Sequence, residues 1–394
     1  MYYRLLIALV TLIVVVDARR EVPLKFHVDI HAKRSTVPDG SRERPFSTLI
    51  EAKRYLITER FEDDVVVIVH SGGYAPLSID HPALSGVSWE GSNESSVPIV
   101  SGGIEIPSDR FRMDPDTKTY VASLEGLGAE NFGEMIGGDC VGDCQHDKVG
   151  VSFDGETMTL ARWPNAPDDL LSPDAWTNAG NCSTEEGGFD FDIEKHPDVS
   201  RLMRWKDEQN AFVHGYWQWD WADCYGSILD VYQKGQQSIH IHYSDTLPPC
   251  KTGARWMGVN ILSELDFPGE YYIDSINRLL YLLQPKGKSL NTSSSTVKLM
   301  YQPGGVLNVT SDVKNVRLSN LDVRDGRHVG VLAQNTVNLQ LENLIVHAHG
   351  THGIDATNST NAIVRASQIF DVGCTGLRAT AGDASTLQKG NMDI

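Results

Sequence analysis

The feature that most constrains the fold is a repeat of 23 residues in the last third of the chain. Three consecutive segments align without a gap, and each keeps an Asn, a Gly, an Ala and several apolar residues at matching positions. Because all matching columns share one period, they predict a structural unit that recurs three times. The columns are Asn315, Asn338 and Asn361; Gly330, Gly353 and Gly376; Ala333, Ala356 and Ala379; Leu318, Leu341 and Val364; Val323, Val346 and Ile369; and Val331, Ile354 and Leu377.

The apolar spacing inside the repeat indicates strands. Short β-branched runs are broken by Gly, Asn and Asp, whereas helical repeats are usually longer and show apolar spacings of three and four. A leucine-rich repeat can have a similar length, but its Leu-x-x-Leu-x-Leu signature is not kept through the three units. The sequence therefore predicts an all-β fold, a parallel β-helix with 23 residues per coil and inward columns of Leu, Val and Ile.

The Asn column and the Gly column are predicted to have structural roles. Asn tolerates left-handed backbone geometry, and its side-chain amide can bond to the Asn of the next coil, so the column of Asn315 is placed in a turn. The column of Gly330 is predicted to mark another turn with special backbone needs.

The region before the repeat is predicted to begin the same stack and then to interrupt it. In "PFSTLIEAKRYLITERF", Thr48 and Glu51 form a possible capping box at the start of a helix that would cover the first coil. The 23-residue register is absent between about residues 108 and 295, where tryptophans concentrate. We therefore divide the chain into a signal peptide (1–18), an N-terminal cap with the first coils (19–107), an inserted β-rich, sandwich-like domain (108–295) and further coils (296–394).

Local patterns in the inserted region predict hairpins and one aromatic strand. "VGVSFDGETMTLARW" and "EYYIDSINRLLYLL" are interpreted as hairpins that turn at Asp154-Gly155 and near Ser275 to Arg278. In "HGYWQWDWADCYG", strand alternation places three tryptophans on one face, which could stack on sugars or pack in a core. Three adjacent large rings more often bury, so a core position is predicted for Trp217, Trp219 and Trp221.

The N-terminus predicts secretion. Arg4 precedes an apolar run from Leu5 to Val16 that is too short for a membrane span, and Val16-Asp17-Ala18 suits cleavage. The six cysteines are therefore interpreted as disulfide-forming, with the pairing left open, and Cys374, which stands apart, is the candidate for a free thiol. Five glycosylation sequons agree with an extracellular glycoprotein, at Asn93, Asn181, Asn291, Asn308 and Asn358.

The net charge, the cysteines and the histidines limit the partners, cofactors and metals that we expect. A formal net charge of −18 disfavours nucleic acid and pectate-like polyanions. No cofactor is expected. No metal is expected either, because the pattern of Cys140, Cys144 and His146 lacks a second ligand pair, and the histidines of "VHAHGTHG" lack a clear carboxylate partner.

Several stretches resemble a known family. They are "DGSRERPFSTLIEA", "SFDGETMTLARWPN", "HGYWQWDWADCY", "FPGEYYIDSINRLLYLLQP" and "HGIDATNSTNAIVRASQIFDVGCTGL". Together they resemble secreted right-handed β-helix proteins of the pectin-lyase-like superfamily, in the branch of β-helical glycoside hydrolases whose early coils are interrupted by a β-sandwich. The resemblance implies hydrolysis of xylan-like or fucosylated glycans by acidic residues in a groove along the coils.

The chain also departs from that branch. Its members are longer, and their acidic groove residues generally lie on later coils. The final "NMDI" restarts the pattern of "NAIV" at Asn361 and ends within a strand, so we expect the chain to be a fragment that lacks further coils.

Glycoside hydrolysis needs two carboxyl groups, and stacking of the coils supplies a pair. Asp325 and Asp371 occupy one column two coils apart, which corresponds to roughly 9.5 Å, at the upper edge of the inverting range. Asp355 is a further catalytic candidate, and His349, His352 and Asp383 are candidates for substrate binding. The alternative is that the aspartates only hydrogen-bond turns beside Gly326 and Gly373.

Two classes of function remain. The first is a secreted carbohydrate-active protein, a glycoside hydrolase or an incomplete copy of one, that acts on a neutral plant- or algal-type polysaccharide or oligosaccharide. The second is a non-catalytic β-helical surface or glycan-binding protein. Neither class involves nucleic acid, or a membrane after signal cleavage, and the fold alone does not separate them.

Overall fold

The structure is a computed structural model of the chain. The residues that it describes are 22–32, 37–61, 64–94, 96–128, 133–136, 148–165, 175–183, 185–192, 199–236, 238–244, 249–290, 295–382, 385–387 and 389–394. Within them the structure is predominantly β, as predicted. None of the helices in these ranges has the length and apolar character needed to cross a bilayer.

The N-terminal part forms the predicted helix and seven short strands. The Glu51 N–H donates to Thr48 Oγ1 at 3.1 Å, and the Glu51 carboxylate accepts from the Ser47 N–H at 2.8 Å, so the predicted cap is present with its return bond one residue earlier. Leu49, Ala52 and Leu56 of this helix are buried. The elements are β1 (Leu24–Val28), α1 (Leu49–Glu59), β2 (Val65–Val69), β3 (Gly73–Tyr74), β4 (Leu77–Ile79), β5 (Val87–Gly91), β6 (Ile99–Ser101) and β7 (Ile104–Ile106).

The middle of the chain adds mostly antiparallel strands and one short helix. They form a four-stranded, a five-stranded and an eight-stranded sheet. The elements are β8 (Arg112–Met113), β9 (Tyr120–Ser123), β10 (Gly150–Phe153), β11 (Glu156–Thr157), β12 (Thr159–Leu160), β13 (Arg162–Trp163), β14 (Thr177–Asn178), β15 (Cys182–Ser183), β16 (Gly188–Asp192), α2 (Val199–Met203), β17 (Phe212–Trp219), β18 (Ala222–Lys234), β19 (Ser238–Tyr243), β20 (Arg255–Val259), β21 (Glu270–Asp274), β22 (Leu279–Leu282) and β23 (Val297–Met300).

The C-terminal part consists of ten short strands that recur in groups of three after the first. They are β24 (Gly305–Val309), β25 (Arg317–Ser319), β26 (Asp322–Gly326), β27 (Val329–Ala333), β28 (Gln340–Glu342), β29 (Ile345–His349), β30 (Ile354–Ala356), β31 (Ile363–Arg365), β32 (Gln368–Val372) and β33 (Leu377–Ala379).

Three parallel sheets join the two ends of the chain. Their strand orders are β1-β2-β5-β25-β28-β31, β3-β6-β26-β29-β32 and β4-β24-β27-β30-β33, which we call sheets 1, 2 and 3. We call three consecutive strands, one from each of these sheets, a coil. The strands from β7 to β23 belong to other sheets, and we call this part of the chain the insert.

The strands follow the predicted period. Leu318 pairs with Leu341 and Leu341 with Val364 in sheet 1, while Val323, Val346 and Ile369 pair in the same way in sheet 2. These columns enter one hydrophobic core that runs from Val28 to Val364. The alignment of the three repeats is therefore the physical register of the coils.

The Asn column forms a ladder of side-chain amides. Asn338 Nδ2 donates to Asn315 Oδ1 at 2.6 Å, and Asn361 Nδ2 donates to Asn338 Oδ1 at 2.9 Å. Asn391 continues the ladder by donating to Asn361 Oδ1 at 3.1 Å. The φ angles of Asn315, Asn338 and Asn361 lie between 54° and 59°, so the predicted left-handed turn is confirmed.

The Gly column has a different cause from the one predicted. Gly330 lies inside β27 and does not have a positive φ. A Cβ at Gly330 would lie 2.6 Å from the Gly353 carbonyl oxygen and 2.6 Å from His349 Nε2, and one at Gly353 would lie 2.3 Å from Ile369 Cγ2. Close packing between coils, and not a turn, therefore requires glycine at Gly330 and Gly353, whereas Gly376 has room for a Cβ, 3.6 Å from Ile369 Cγ2.

Both predicted hairpins are present in the insert. Asp154 and Gly155 have φ angles of 53° and 79° and connect the antiparallel strands β10 and β11. The second hairpin pairs β21 with β22, from Tyr271 opposite Leu282 to Asp274 opposite Leu279.

The aromatic strand is only partly buried, so the prediction for two of its three tryptophans is wrong. Trp217 is 0% exposed, whereas Trp219 is 41% and Trp221 is 72% exposed. Trp219 pairs with Ala222 at the end of β17, which places Asp220 and Trp221 in the hairpin turn. A register shift between Gly215 and Trp219 also breaks the strand alternation on which the prediction depended.

The cysteines agree in part with the predicted disulfides, with corrections at Cys224 and at Cys374. Cys182 and Cys250 form a disulfide within the insert, and Cys224 is buried as a thiol. Cys374 is disulfide-bonded and not a free thiol. Cys140 and Cys144, like the signal peptide, lie outside the described residues.

Candidate functional site

Asp325 and Asp371 lie in the predicted column, but their surroundings differ. Asp325, Ala348 and Asp371 all have a left-handed φ, between 49° and 59°. Asp325 is 0% exposed, and its carboxylate accepts from Ser101 Oγ and Ser152 Oγ, both at 2.7 Å. Lys298 Nζ lies 3.3 Å from Asp325 Oδ2.

These contacts give Asp325 the environment of a structural carboxylate. Burial by itself raises the pKa of Asp325, but Lys298 and the two serine hydroxyls together hold that pKa below its ordinary value. A buried, ionised carboxylate with both oxygens occupied is poorly suited to protonate a leaving group. Since Ser101 belongs to the coils while Ser152 and Lys298 belong to the insert, Asp325 joins the two parts.

Asp371 is exposed at the edge of sheet 2. Its Oδ2 accepts the backbone N–H of Thr157, in β11 of the insert, at 3.0 Å. One oxygen is therefore held in place while the side chain remains open to solvent. Of the two aspartates predicted from the repeat, only Asp371 is accessible to a substrate.

Asp355 is also committed to structural contacts. It lies in β30 and is 1% exposed. Its Oδ2 accepts from Gln334 Nε2 at 2.7 Å and from Arg378 Nη2 at 2.6 Å. Burial raises the pKa of Asp355, but the hydrogen bonds, led by that of Arg378, lower it below its ordinary value.

The candidate substrate-binding histidines are turned away from solvent. The left-handed Ala348 breaks the strand alternation, so His349 packs between coils, where its Nδ1 accepts the Gly326 N–H at 3.2 Å and its Nε2 lies 3.1 Å from the Val323 carbonyl oxygen. Burial lowers the pKa of His349 to about 4. His352 is also buried, with 3% exposure, and Asp383 lies outside the described residues.

Two charged residues of the insert that the sequence analysis did not single out, Lys148 and Asp223, are linked electrostatically to Asp371. Lys148 lies two residues before β10 in the insert and is partly buried. Burial, the largest influence, lowers the pKa of Lys148, while the charges of Asp223 and Asp371 raise it. Asp223 of the insert and Asp371 of the coils therefore both lie within electrostatic range of one lysine.

Asp223 is part of an aromatic surface on the insert. His214 Nε2 lies 2.7 Å from Asp223 Oδ2, and the side chain of Asp223 is 39% exposed. The His214 ring stacks on Tyr225 with a centroid distance of 4.0 Å and an interplanar angle of 3°. Beside it, Trp176 lies 5.3 Å from His214, so a carboxylate, an imidazole and two aromatic rings adjoin.

The same surface continues towards Arg255. Trp176 also lies 5.3 Å from Tyr216, and the Arg255 guanidinium lies 4.4 Å from the centroid of the Tyr216 ring. Sugar rings bind to surfaces of this kind because their C–H faces pack on aromatic rings while nearby polar groups bond to the hydroxyls. We call Lys148, Asp223, Asp371 and this aromatic surface the interface cluster.

A buried glutamate lies deeper in the insert. Glu270, from the "PGEYYID" segment, is 3% exposed and accepts the backbone N–H groups of Phe267 at 3.1 Å and Arg162 at 3.4 Å. Burial raises the pKa of Glu270 to about 8. With no exposed face, this carboxyl group holds the loop in front of β21.

A polar groove runs along the outside of sheet 1. Two adjoining sections of about 480 and 590 Å³ share Ser88, Asn315 and Arg317 in their walls. Arg317 pairs with Glu90 at 3.1 Å and with Glu342 at 2.8 Å. The groove therefore offers amides and paired charges but no free carboxylate pair among these residues.

The cluster of Glu186, Asp190 and His240 brings potential metal-ligand atoms within 4.8 Å of one another. Lys234 Nζ lies 2.6 Å from Glu186 and 3.1 Å from Asp190, so a lysine supplies the positive charge that these carboxylates need. We assign no metal to this cluster.

Asp223 was within reach of the sequence analysis. It lies in the quoted aromatic stretch, where attention fell on the tryptophans. Pairing of β17 with β18 brings His214 opposite Tyr225 and sets Asp223 diagonally beside the histidine. A hairpin folded about Asp220 and Trp221 predicts that contact, whereas the approach of Asp371 from the coils depends on how the insert docks.

Comparisons with known proteins give a likeness in fold. No protein-family model matches the chain, and no curated protein matches it. A solved structure described as "Glycoside hydrolase" superposes with a TM-score of 0.71, over 93% of this chain and 69% of that one, at 16% sequence identity. The chain therefore shares the fold of a glycoside hydrolase.

Proposed function

We propose that the chain is a secreted glycoside hydrolase of the right-handed parallel β-helix type, related to the pectin-lyase-like superfamily, with a β-sandwich-like insert. The observation that carries the proposal is the interface cluster, in which the insert carboxylate of Asp223 lies beside an aromatic surface, the coil carboxylate of Asp371 contacts the insert, and both charges act on Lys148. The right-handed sense follows from the strong preference of parallel crossover connections for that hand.

The two carboxyl groups are given different roles. Asp371, with one oxygen held by the Thr157 N–H, acts as base or nucleophile. Asp223, whose Oδ2 lies 2.7 Å from His214 Nε2, acts as the acid that protonates the leaving oxygen. Lys148 orients both carboxylates by its charge.

The proposed substrate is a neutral polysaccharide or oligosaccharide of the xylan-like or fucosylated kind. The formal charge of −18 repels polyanions, whereas the aromatic surface can stack on uncharged sugar rings. Secretion is supported by the disulfide of Cys182 with Cys250, which persists in oxidising compartments. Three of the predicted sequon asparagines, Asn93, Asn181 and Asn358, are exposed.

The test is a comparison of polymers that differ in charge. The purified chain is incubated with neutral xylan, a fucosylated oligosaccharide and polygalacturonate, and released reducing ends are measured. We expect turnover of a neutral substrate and none of polygalacturonate. Binding of neutral polymers without any release of reducing ends would favour the second class of function, a glycan-binding β-helix that uses the polar groove along sheet 1.

A further inference from the structure

The tip of the β17–β18 hairpin carries two exposed tryptophans that have no role in the core. Trp219 and Trp221 lie face to face, with a centroid distance of 5.5 Å and an interplanar angle of 23°. Trp221 keeps 72% of its surface exposed. A hairpin turn accepts almost any polar residue, so folding does not require two large apolar rings at this position.

The buried Trp217, in the same strand as Trp219, anchors the tip of the hairpin. Trp217 is 0% exposed, and its indole Nε1 donates to the Cys224 carbonyl oxygen at 3.2 Å. The Lys251 N–H donates to the Trp217 carbonyl oxygen at 2.9 Å. The next residue back, Cys250, is fixed to Cys182 by the disulfide, so a covalently tethered segment supports the hairpin.

Polar groups flank the exposed rings. Lys251 Nζ lies 3.2 Å from Oδ1 of Asp220, the residue between the two tryptophans, and the side chains of Lys251 and Asp220 are 42% and 72% exposed. An acceptor and a donor for hydroxyl groups therefore stand beside an open indole face. Rings that are held in position before binding lose little conformational entropy when a ligand stacks on them.

We propose that Trp219, Trp221, Asp220 and Lys251 form a second, non-catalytic carbohydrate site that holds one pyranose ring of a neutral glycan on the open face of Trp221. Two indoles offer far less area than the roughly 1,000 Å² expected of a specific protein interface, but enough to cover one sugar ring. The choice of ligand rests on the proposed function, whereas the geometry of the site is independent of the interface cluster.

The test measures binding without turnover. Xylohexaose and cellohexaose are titrated into the Asp371→Asn variant of the full chain, and binding is followed by calorimetry and by tryptophan fluorescence. We expect Trp221→Ala to weaken the affinity by at least about fivefold, the size of one aromatic stacking contact. Leu229→Ala, which removes an exposed apolar side chain of β18 away from the hairpin turn, is the matched control and should leave the affinity unchanged.

The outcomes separate this site from the proposed catalytic one. Loss of binding in Trp221→Ala supports the second site whether or not the wild-type chain hydrolyses either sugar. Equal affinities in the Trp221→Ala variant and its parent overturn it. If Trp221→Ala leaves sugar binding intact but abolishes a concentration-dependent dimer in light scattering, the pair is a self-association surface and the proposal is also overturned.

Discussion

Asp325 and Asp371 occupy the same column of the coil stack, two coils apart, yet only Asp371 reaches solvent. The insert covers the column at Asp325 through Ser152 and Lys298, and at Asp371 it contributes one backbone N–H from Thr157. One column therefore holds a structural carboxylate at one level and an accessible carboxylate at another.

Asp325→Ala is expected to destabilise the chain. It leaves the partly buried ammonium of Lys298 without its carboxylate and removes the link between coils and insert, which should lower the free energy of unfolding by about 3 kcal/mol or more. Chemical denaturation followed by tryptophan fluorescence measures this. Asp312→Ala, at an exposed turn, serves as the control, and an equal denaturation midpoint for both variants would contradict the structural role of Asp325.

His349 is expected to make the fold sensitive to acid. Its pKa of about 4 lies below the ordinary value of 6.5, so the unfolded chain binds the proton first. The contribution of the neutral His349 to the free energy of unfolding is complete above pH 6.5. It is lost as the pH falls from 6.5 through 4, by about 3 kcal/mol in total. In His349→Gln the free energy of unfolding should depend less on pH within that window, and an unchanged slope would refute the assignment.

Glu270 is expected to make the fold less stable as the pH rises, which is the opposite of the effect of His349. Its pKa of about 8 lies above the ordinary value of 4.5, so its contribution is complete below pH 4.5 and is lost as the pH rises through 8. The free energy of unfolding of Glu270→Gln, compared with that of the wild type, should therefore rise by at least about 2 kcal/mol between pH 5 and pH 9. Thermal unfolding at several pH values tests this, and parallel curves for the two proteins would argue against it.

Asn338 stabilises the Asn ladder in two ways, through its amide hydrogen bonds and through its tolerance of a positive φ, and two substitutions separate these contributions. Asn338→Ala loses two amide hydrogen bonds, and alanine lacks the side-chain amide that lets asparagine tolerate a φ of 55°. Together these losses should lower the free energy of unfolding by about 2 to 3 kcal/mol. Asn338→Gly loses the bonds but tolerates the φ angle, so about half of that loss is expected. Denaturation midpoints in the order wild type, Gly, Ala support this account, and equal midpoints for the two variants would exclude the backbone contribution.

The sequence predicted what depends on the period of the repeat. Strands 23 positions apart pair in register, and the ladder of Asn315, Asn338 and Asn361 lies where the repeat placed it. Errors arose where a single position departs from ideal alternation. The left-handed Ala348 turns His349 inward, and the bulge before Trp219 brings that ring to the surface.

The candidate site was less predictable because it depends on docking. Nothing in the local pattern around Asp325 indicates that Ser152 and Lys298 cover it, since Ser152 lies 173 positions away along the chain and Lys298 belongs to a separately patterned strand of the insert. The contact of Asp371 with the Thr157 N–H of the insert has the same origin. A contact between two separately patterned parts of a chain follows from tertiary packing, which periodicity does not encode.

The most direct test of the central claim is the kcat/KM of four proteins on whichever neutral glycan the wild type hydrolyses. We expect Asp223→Asn and Asp371→Asn each to lower kcat/KM by about a hundredfold or more, because each removes a carboxyl group needed for proton transfer or attack. Asp312→Asn, the exposed control, should match the wild type. Wild-type rates in both Asp223→Asn and Asp371→Asn would contradict the account and remove the interface cluster from the chemistry.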